Sequence, residues 1–396
     1  MLPGWHNFLF PLDRRMAALY FALGLFQFAE GLLSIFIPIY FYRSGFTVSK
    51  ILIFYTLISA YFVALVFIIL PLLKKLSNKA MMLWSILPLI GYYLGLGFVL
   101  EFPFLFAILP FLLALYMLLF NVGYHLDFSD AVRDGYVGRE VGLRYVAVAV
   151  AGFLSPLTGG VLIGVFGFQV TFVVGSLILF LAIIPLFFFP SRTLAPDLQL
   201  KSLITYLKNR SLFPFNLSGA GYAMEEMVVR ISWPFFLFLL INDFEKFGAV
   251  ISLGVLAGAA VNYLSGLFSD AGRRRKILSL ASWASALLWL SRIFLRNAGG
   301  AALNHLGRGF ANSALLVSWS SQYYKIARAL PDPGAFILSR ELLYHLARVP
   351  FLLILAWLAA VLSLGMFFKV SFLLAALSAL LFLAANRFHT ENFKLV

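Results

Sequence analysis

The sequence predicts an all-helical polytopic membrane protein, with twelve transmembrane helices in two pseudo-symmetric bundles of six. Three observations carry this reading. Hydrophobic residues make up 62% of the chain and charged residues 12%, against soluble-domain averages of about 45–50% and about 25%. The apolar residues gather into twelve runs near the length of about 20 residues that crosses a bilayer as a helix. Polar landmarks also recur: Glu226 and Pro234 repeat Glu30 and Pro38, and Arg340-Glu341 repeats Arg139-Glu140 at nearly the same offset. The runs are continuously apolar rather than alternating, which excludes a closed β-barrel, the other architecture that satisfies its backbone in lipid.

The first run, near 16–41, carries Gln27, Glu30 and Ser34 at spacings of three and four, a polar stripe on one helix face. The second and third, near 50–71 and 80–100, flank the basic loop Lys74-Lys75-Leu76-Ser77-Asn78-Lys79. The fourth, near 103–124, is nearly bare of polar groups, offering Tyr116, Asn121 and Tyr124 toward its inner end. The fifth, near 141–164, is rich in small residues: Gly142, Ala151, Ser155, Pro156, Gly159 and Gly160. Such residues let helices approach closely in membrane bundles of every function. The sixth run lies near 168–190.

Residues 191–213 divide the chain into a first bundle, 1–190, and a second, 214–396. Pro190, Pro196 and Pro214 punctuate this segment. Within it Leu200, Leu203, Ile204 and Leu207 recur at helical spacing opposite basic residues, the pattern of an amphipathic helix on the cytoplasmic membrane surface. A plain linker is equally compatible with these residues.

The seventh run, near 214–240, places Tyr222, Glu226, Arg230 and Trp233 on one face, with Glu225 about 100° to the side. The eighth, near 247–268, leads into Gly266-Leu-Phe-Ser-Asp270-Ala-Gly272-Arg273-Arg274-Arg275-Lys276. There a glycine permits a tight turn and four consecutive cations hold the loop out of the bilayer. The ninth lies near 277–295. The tenth, near 299–323, contributes His305, Arg308 and Asn312; the eleventh, near 335–361, contributes Glu341, His345 and Arg348; the twelfth lies near 366–387.

Charge sets the orientation. Of 30 lysines and arginines, only Arg43, Lys50, Lys246, Arg296 and Lys369 fall on one set of connections, and Arg230, Arg292, Arg308 and Arg348 fall inside apolar runs. The rest lie on the opposite side, so both termini are expected in the cytoplasm and the protein in the plasma (cytoplasmic) membrane. The opening Met1-Leu-Pro-Gly-Trp stretch lacks the pattern of a removable signal peptide. The net charge of +14 is spread over these short connections, which argues against a nucleic-acid partner. With no cysteine, disulfide and thiolate chemistry are excluded. The five histidines, His6, His125, His305, His345 and His389, show no metal-ligand pairing. Neither a Walker-type phosphate loop nor a nucleophile elbow is present. The expectation is a protein that is not an enzyme and holds no metal or cofactor.

The loop from Gly266 to Lys276 resembles the signature of the major facilitator superfamily of transporters, found after the second or eighth helix. The small-residue pattern of the fifth run resembles the antiporter signature of the drug:proton antiporter branch, with Ala151 and Ser155 in place of two glycines. The resemblance implies alternating access by two halves around a central cavity lined by the first, fourth, seventh and tenth helices. It also implies that Asp270 braces an inner gate against the start of the fifth helix near Arg139. Gly266, Arg273, Arg274, Arg139, Gly142, Pro156, Gly159 and Gly160 would share the gating role. Lys74 stands where the first-half loop would carry its acid, so that side needs other contacts.

A charge near the bilayer centre costs about 2.5–3.5 kcal/mol on insertion scales and must face a partner or water. The intramembrane charges are therefore the functional candidates. Burial disfavours an ionised carboxylate and favours a bound proton, which makes Glu30 and Glu226 the leading proton carriers and Glu225 a reserve. Glu226 and Arg230, one turn apart, could equally form a structural ion pair. Gln27, Tyr222, Arg230, Trp233, His305, Arg308, Asn312 and Arg348 are the candidates for substrate contact. The 44 phenylalanines add little, since most must face lipid or neighbouring helices. The activity expected is proton-coupled export of a small organic, amphipathic compound, its partners being that solute, protons and membrane lipids. The alternatives are uptake or exchange of an organic anion held by Arg308 and Arg348, and a non-transporting sensor or assembly partner.

Overall fold

The computed structural model describes residues 14–132, 135–187 and 198–388. Both chain ends, with His6 and His389, and residues 191–197 of the expected linker lie outside the described residues. Fourteen α-helices and no strand occur among the described residues. The first predicted run is α1 (Arg14–Leu33) and α2 (Ile37–Arg43), joined by one 3-10 turn; the next three are α3 (Val48–Leu73), α4 (Asn78–Leu96) and α5 (Leu105–Ala131). The fifth and sixth runs share α6 (Val137–Phe187), and α7 (Leu200–Lys208) follows. The seventh run is α8 (Phe213–Met227) and α9 (Trp233–Ile241), separated by a π turn, Val228–Ser232. The remaining runs are α10 (Phe244–Phe268), α11 (Arg274–Ser291), α12 (Ala298–Ala329), α13 (Pro333–Val361) and α14 (Leu364–Leu381).

Helix starts follow from polar caps. Side chains of Thr47, Ser77, Asp243, Asn297 and Asp332 each accept a bond from an amide of the first turn of α3, α4, α10, α12 and α13, satisfying donors that have no partner within the helix. Eight helical segments among the described residues are long and apolar enough to cross a membrane. Two of these, Val137–Pro185 and Phe244–Phe294, are 49 and 51 residues long, about twice a single crossing. Each is broken at a glycine in left-handed backbone, Gly167 at φ 81° and Gly272 at φ 79°, where a Cβ would be strained. The seventh and tenth predicted runs fall outside this count: Glu225, Glu226 and Arg230 lie together in the middle of one, and polar residues run along the other.

Packing of α6 explains the small residues of the fifth run. This helix lies between α1 and α10. Toward α1, Gly24 faces Ala151, Gly31 faces Ser155, and Gly159 backs onto the Leu32 carbonyl. Toward α10, Gly142 backs onto the Asn262 carbonyl, Gly160 onto that of Phe244, and Gly266 onto that of Gly138. The four contacts to carbonyls leave no room for a side chain, the close approach that small residues permit. α3 packs on α13, and α8 on α13 and α14.

The amphipathic helix α7 forms inside the expected linker. Leu203 and Tyr206 are buried, with Tyr206 edge-on to Phe336 of α13, while Leu200 and Ile204 stay exposed. Part of its apolar face therefore covers protein.

Gly160→Val is expected to destabilise the fold by about 1–3 kcal/mol, the usual cost of overpacking, because the added carbons meet the α10 backbone. Gly365→Ala, which meets nothing nearby, should be neutral or better. Thermal unfolding of the two purified variants in one detergent checks the contrast.

Candidate functional site

Three charged clusters occupy the interior, and each draws on a different set of helices. The central one begins with α8 and the π turn after it, a kind of insertion that recurs at functional sites. Arg230 Nε donates to Glu226 Oε1 at 2.8 Å, and Arg348 of α13 donates to Glu226 Oε2. One carboxylate thus serves two guanidiniums. Arg348 is further held by His345 Nε2, which accepts from Nη1 at 3.2 Å, and the His345 ring stacks on Phe62 of α3 with centroids 3.8 Å apart. The Arg348 side chain is buried, whereas that of Arg230 is 50% exposed. Arg230 turns to the first half of the chain, where its charge acts on Glu30 of α1 and on Tyr55, Tyr93 and Tyr116. Glu30 also interacts with the Tyr116 hydroxyl of α5. Six helices, α1, α3, α4, α5, α8 and α13, therefore converge on this point.

The second cluster lies within the second half. Arg308 Nη2 donates to Glu225 Oε1 at 2.6 Å and Nη1 to Ser285 Oγ at 2.7 Å, and Trp289 Nε1 donates to the same Glu225 oxygen at 2.6 Å. Arg292 lies between the faces of Trp233 and Trp289, 3.5 and 4.0 Å from their centroids. Trp233 Nε1 donates to His305 Nδ1 at 3.1 Å. All these side chains belong to α8, α9, α11, α12 and the turn that ends α11.

The third cluster joins the halves near one end. Glu341 accepts from Arg340 Nη2 at 2.6 Å and from Asn121 Nδ2 of α5 at 3.1 Å. His125 Nδ1 and the Tyr324 hydroxyl are 2.6 Å apart, and the hydroxyls of Tyr145 and Ser320 are 3.1 Å apart. At the same end Asp270 accepts from the amides of Gly138 and Arg139, at 2.8 Å each. These are open donors at the start of α6, where the helix dipole also favours a carboxylate. Lys325 approaches Asp270 at 3.8 Å, and Arg274 donates to Gln322 at 2.5 Å. The opposite end is closed by aromatics: Tyr42 packs on Phe235, and Arg43 lies over Phe238 and Phe244.

The structure thus separates residues that sequence spacing grouped. Glu226, Arg230, Arg348 and Glu30 meet at the centre. Arg308 pairs with Glu225 rather than standing beside Arg348, and Trp233 and His305 pack in the second-half interior. Tyr222 stacks on Trp319, Gln27 lies against Gly152 of α6, and Asn312 is half-buried on α12. Sequence reasoning passed over His125 and Trp289 as site residues. The first had no neighbour in sequence to mark it, while the second stands at i−3 to Arg292 and was legible as a helical pair.

No protein-family profile matches the chain, and no curated protein matches it in sequence. Solved structures do match, 254 chains in all. Among them is the crystal structure of the human organic anion transporter MFSD10 (TETRAN), at 15% identity and a TM-score of 0.68, covering 94% of this chain and 100% of that one. The fold resembles that of a major facilitator superfamily transporter. At this identity the likeness speaks of the fold, and the charged clusters above are properties of this chain.

Because the chain lacks cysteine, a cysteine at Ser320 reports opening of the polar end. Asn121→Ala and Asp270→Ala, each removing about 1–2 kcal/mol of closure, should raise its labelling by a water-soluble maleimide about 5–30-fold. Labelling as slow as in the single S320C protein would show that these bonds do not hold the halves together.

Proposed function

We propose that this chain is a secondary transporter that moves a small organic anion together with a proton by alternating access. In this reading twelve helices cross the plasma membrane as two six-helix bundles with both termini in the cytoplasm, and the bundles rock about the central cluster. The observation that carries it is Arg230. It is the exposed guanidinium of the central cluster, held on one side by a carboxylate that it shares with Arg348, and facing tyrosines of the opposite half. Arg308 and Arg348, the two guanidiniums the sequence offered for an anion, are buried against Glu225 and Glu226. An anion with a planar or aromatic body fits such a guanidinium among aromatic rings. The transport of organic anions by MFSD10 is in keeping with this choice.

Glu30 supplies the coupling. When ionised it competes with an incoming anion for the field of Arg230; when it binds a proton that competition ends. Proton and anion therefore favour each other's binding, and linkage requires the effect to be mutual. Export by exchange of protons for a cation at Glu226 would need that carboxylate free, and two arginines hold it.

Liposomes carrying the protein and a pool of aromatic carboxylates test the reading. An inward proton gradient should drive anion accumulation, Arg230→Gln should abolish uptake, and Glu30→Gln should leave anion exchange while removing the response to the gradient. Gradient-driven exit of cations, or full coupling in Glu30→Gln, would contradict it.

A further inference from the structure

Arg292 is the most buried cation among the described residues, at 1% exposure, and the transport reading makes no use of it. It stands in the 3-10 turn that ends α11. Trp233 and Trp289 cover both faces of its guanidinium, and such stacking stabilises a cation face-on. The in-plane N–H groups need separate acceptors, because an aromatic face does not lie in their plane. Nε donates to Asn304 Oδ1 at 2.7 Å. The Asn304 amide is fixed in that orientation, since its Nδ2 donates to the Leu288 carbonyl at 3.0 Å and to Ser291 Oγ at 2.8 Å. Nη2 is buried and has no hydrogen-bond partner.

The charges around it do not balance. Arg308 lies over the same Trp289 ring, 5.4 Å from the centroid, so two guanidiniums flank one indole. The cluster contains one carboxylate, Glu225, and both Arg308 Nη2 and Trp289 Nε1 converge on its Oε1. His305 accepts from Trp233 at Nδ1 and adds no negative charge. A positive charge and an open N–H edge thus remain together in the membrane interior, where an uncompensated charge is disfavoured.

We propose that the open edge of Arg292, walled by Trp233 and Trp289, is a binding site for a small inorganic anion, chloride under ordinary conditions. A halide supplies both missing properties, an acceptor in the guanidinium plane and one negative charge. Water would accept the N–H bonds and leave the charge uncompensated. The near-complete burial of Arg292 leaves no approach for an organic acid, which separates this site from that of Arg230. Bound chloride would fix the two tryptophans and, through Trp233, the outer part of the seventh span just beyond Arg230.

The test uses the full-length protein purified in sodium gluconate and titrated with chloride, bromide and sulfate at constant ionic strength. The expected result is a saturable rise of several degrees in the unfolding midpoint with chloride or bromide, and saturable quenching of tryptophan fluorescence by bromide. Both should vanish in Arg292→Met, with its monodispersity in gluconate checked beside the wild type. A wild-type protein without a saturable halide response would overturn the proposal whatever the variant does. So would a response that persists in Arg292→Met, or one that sulfate reproduces, since the effect would then belong to another site or to the bulk salt.

Discussion

Glu226 is one carboxylate placed between two guanidiniums, and the organisation of the interior depends on that shortage. Charges inside a bilayer must be neutralised or hydrated. Arg308 has Glu225 and Arg340 has Glu341, each in a buried pair. Arg348 and Arg230 must divide Glu226 between them, and Arg348, buried and further tied to His345, has the firmer hold. Arg230 is left partly exposed and turned toward Glu30 of the opposite half. A residue so placed responds to whatever negative charge arrives, whether Glu30 itself or a solute.

The two ends of the molecule close over this centre by different physics. One end uses directional bonds: Asp270 to the amides that open α6, Asn121 to Glu341, and His125 to Tyr324. The other relies on rings, with Tyr42 on Phe235 and Arg43 over Phe238 and Phe244. Directional bonds are lost together once their geometry fails, while aromatic contacts slide at modest cost. Between the ends, the glycines of α6 hold α1 and α10 at backbone distance.

Much of this was legible in the sequence, for identifiable reasons. The apolar runs dictated the helices, since lipid allows little else, and the loop from Gly266 to Lys276 pointed to the contact of Asp270 with the start of α6. Glu226 and Arg230 were legible as a pair because helical neighbours lie one turn apart. The assignment of Arg308 was not legible: whether it meets Glu225 or Arg348 is decided by the rotation of α12 about its axis, which spacing within one helix does not reveal. Asn121 and Glu341 are separated by more than half of the chain, and no local pattern links them. The division of α6 into the fifth and sixth predicted runs falls at Gly167, whose positive φ breaks the helix between them.

The most direct measurement of the central claim is the proton balance of anion binding, read by titration calorimetry in two buffers of equal pH and different ionisation enthalpy. With an aromatic carboxylate as ligand, net proton uptake is expected, disappearing in Glu30→Gln while binding persists. Net proton release, or uptake that survives in Glu30→Gln, would contradict it.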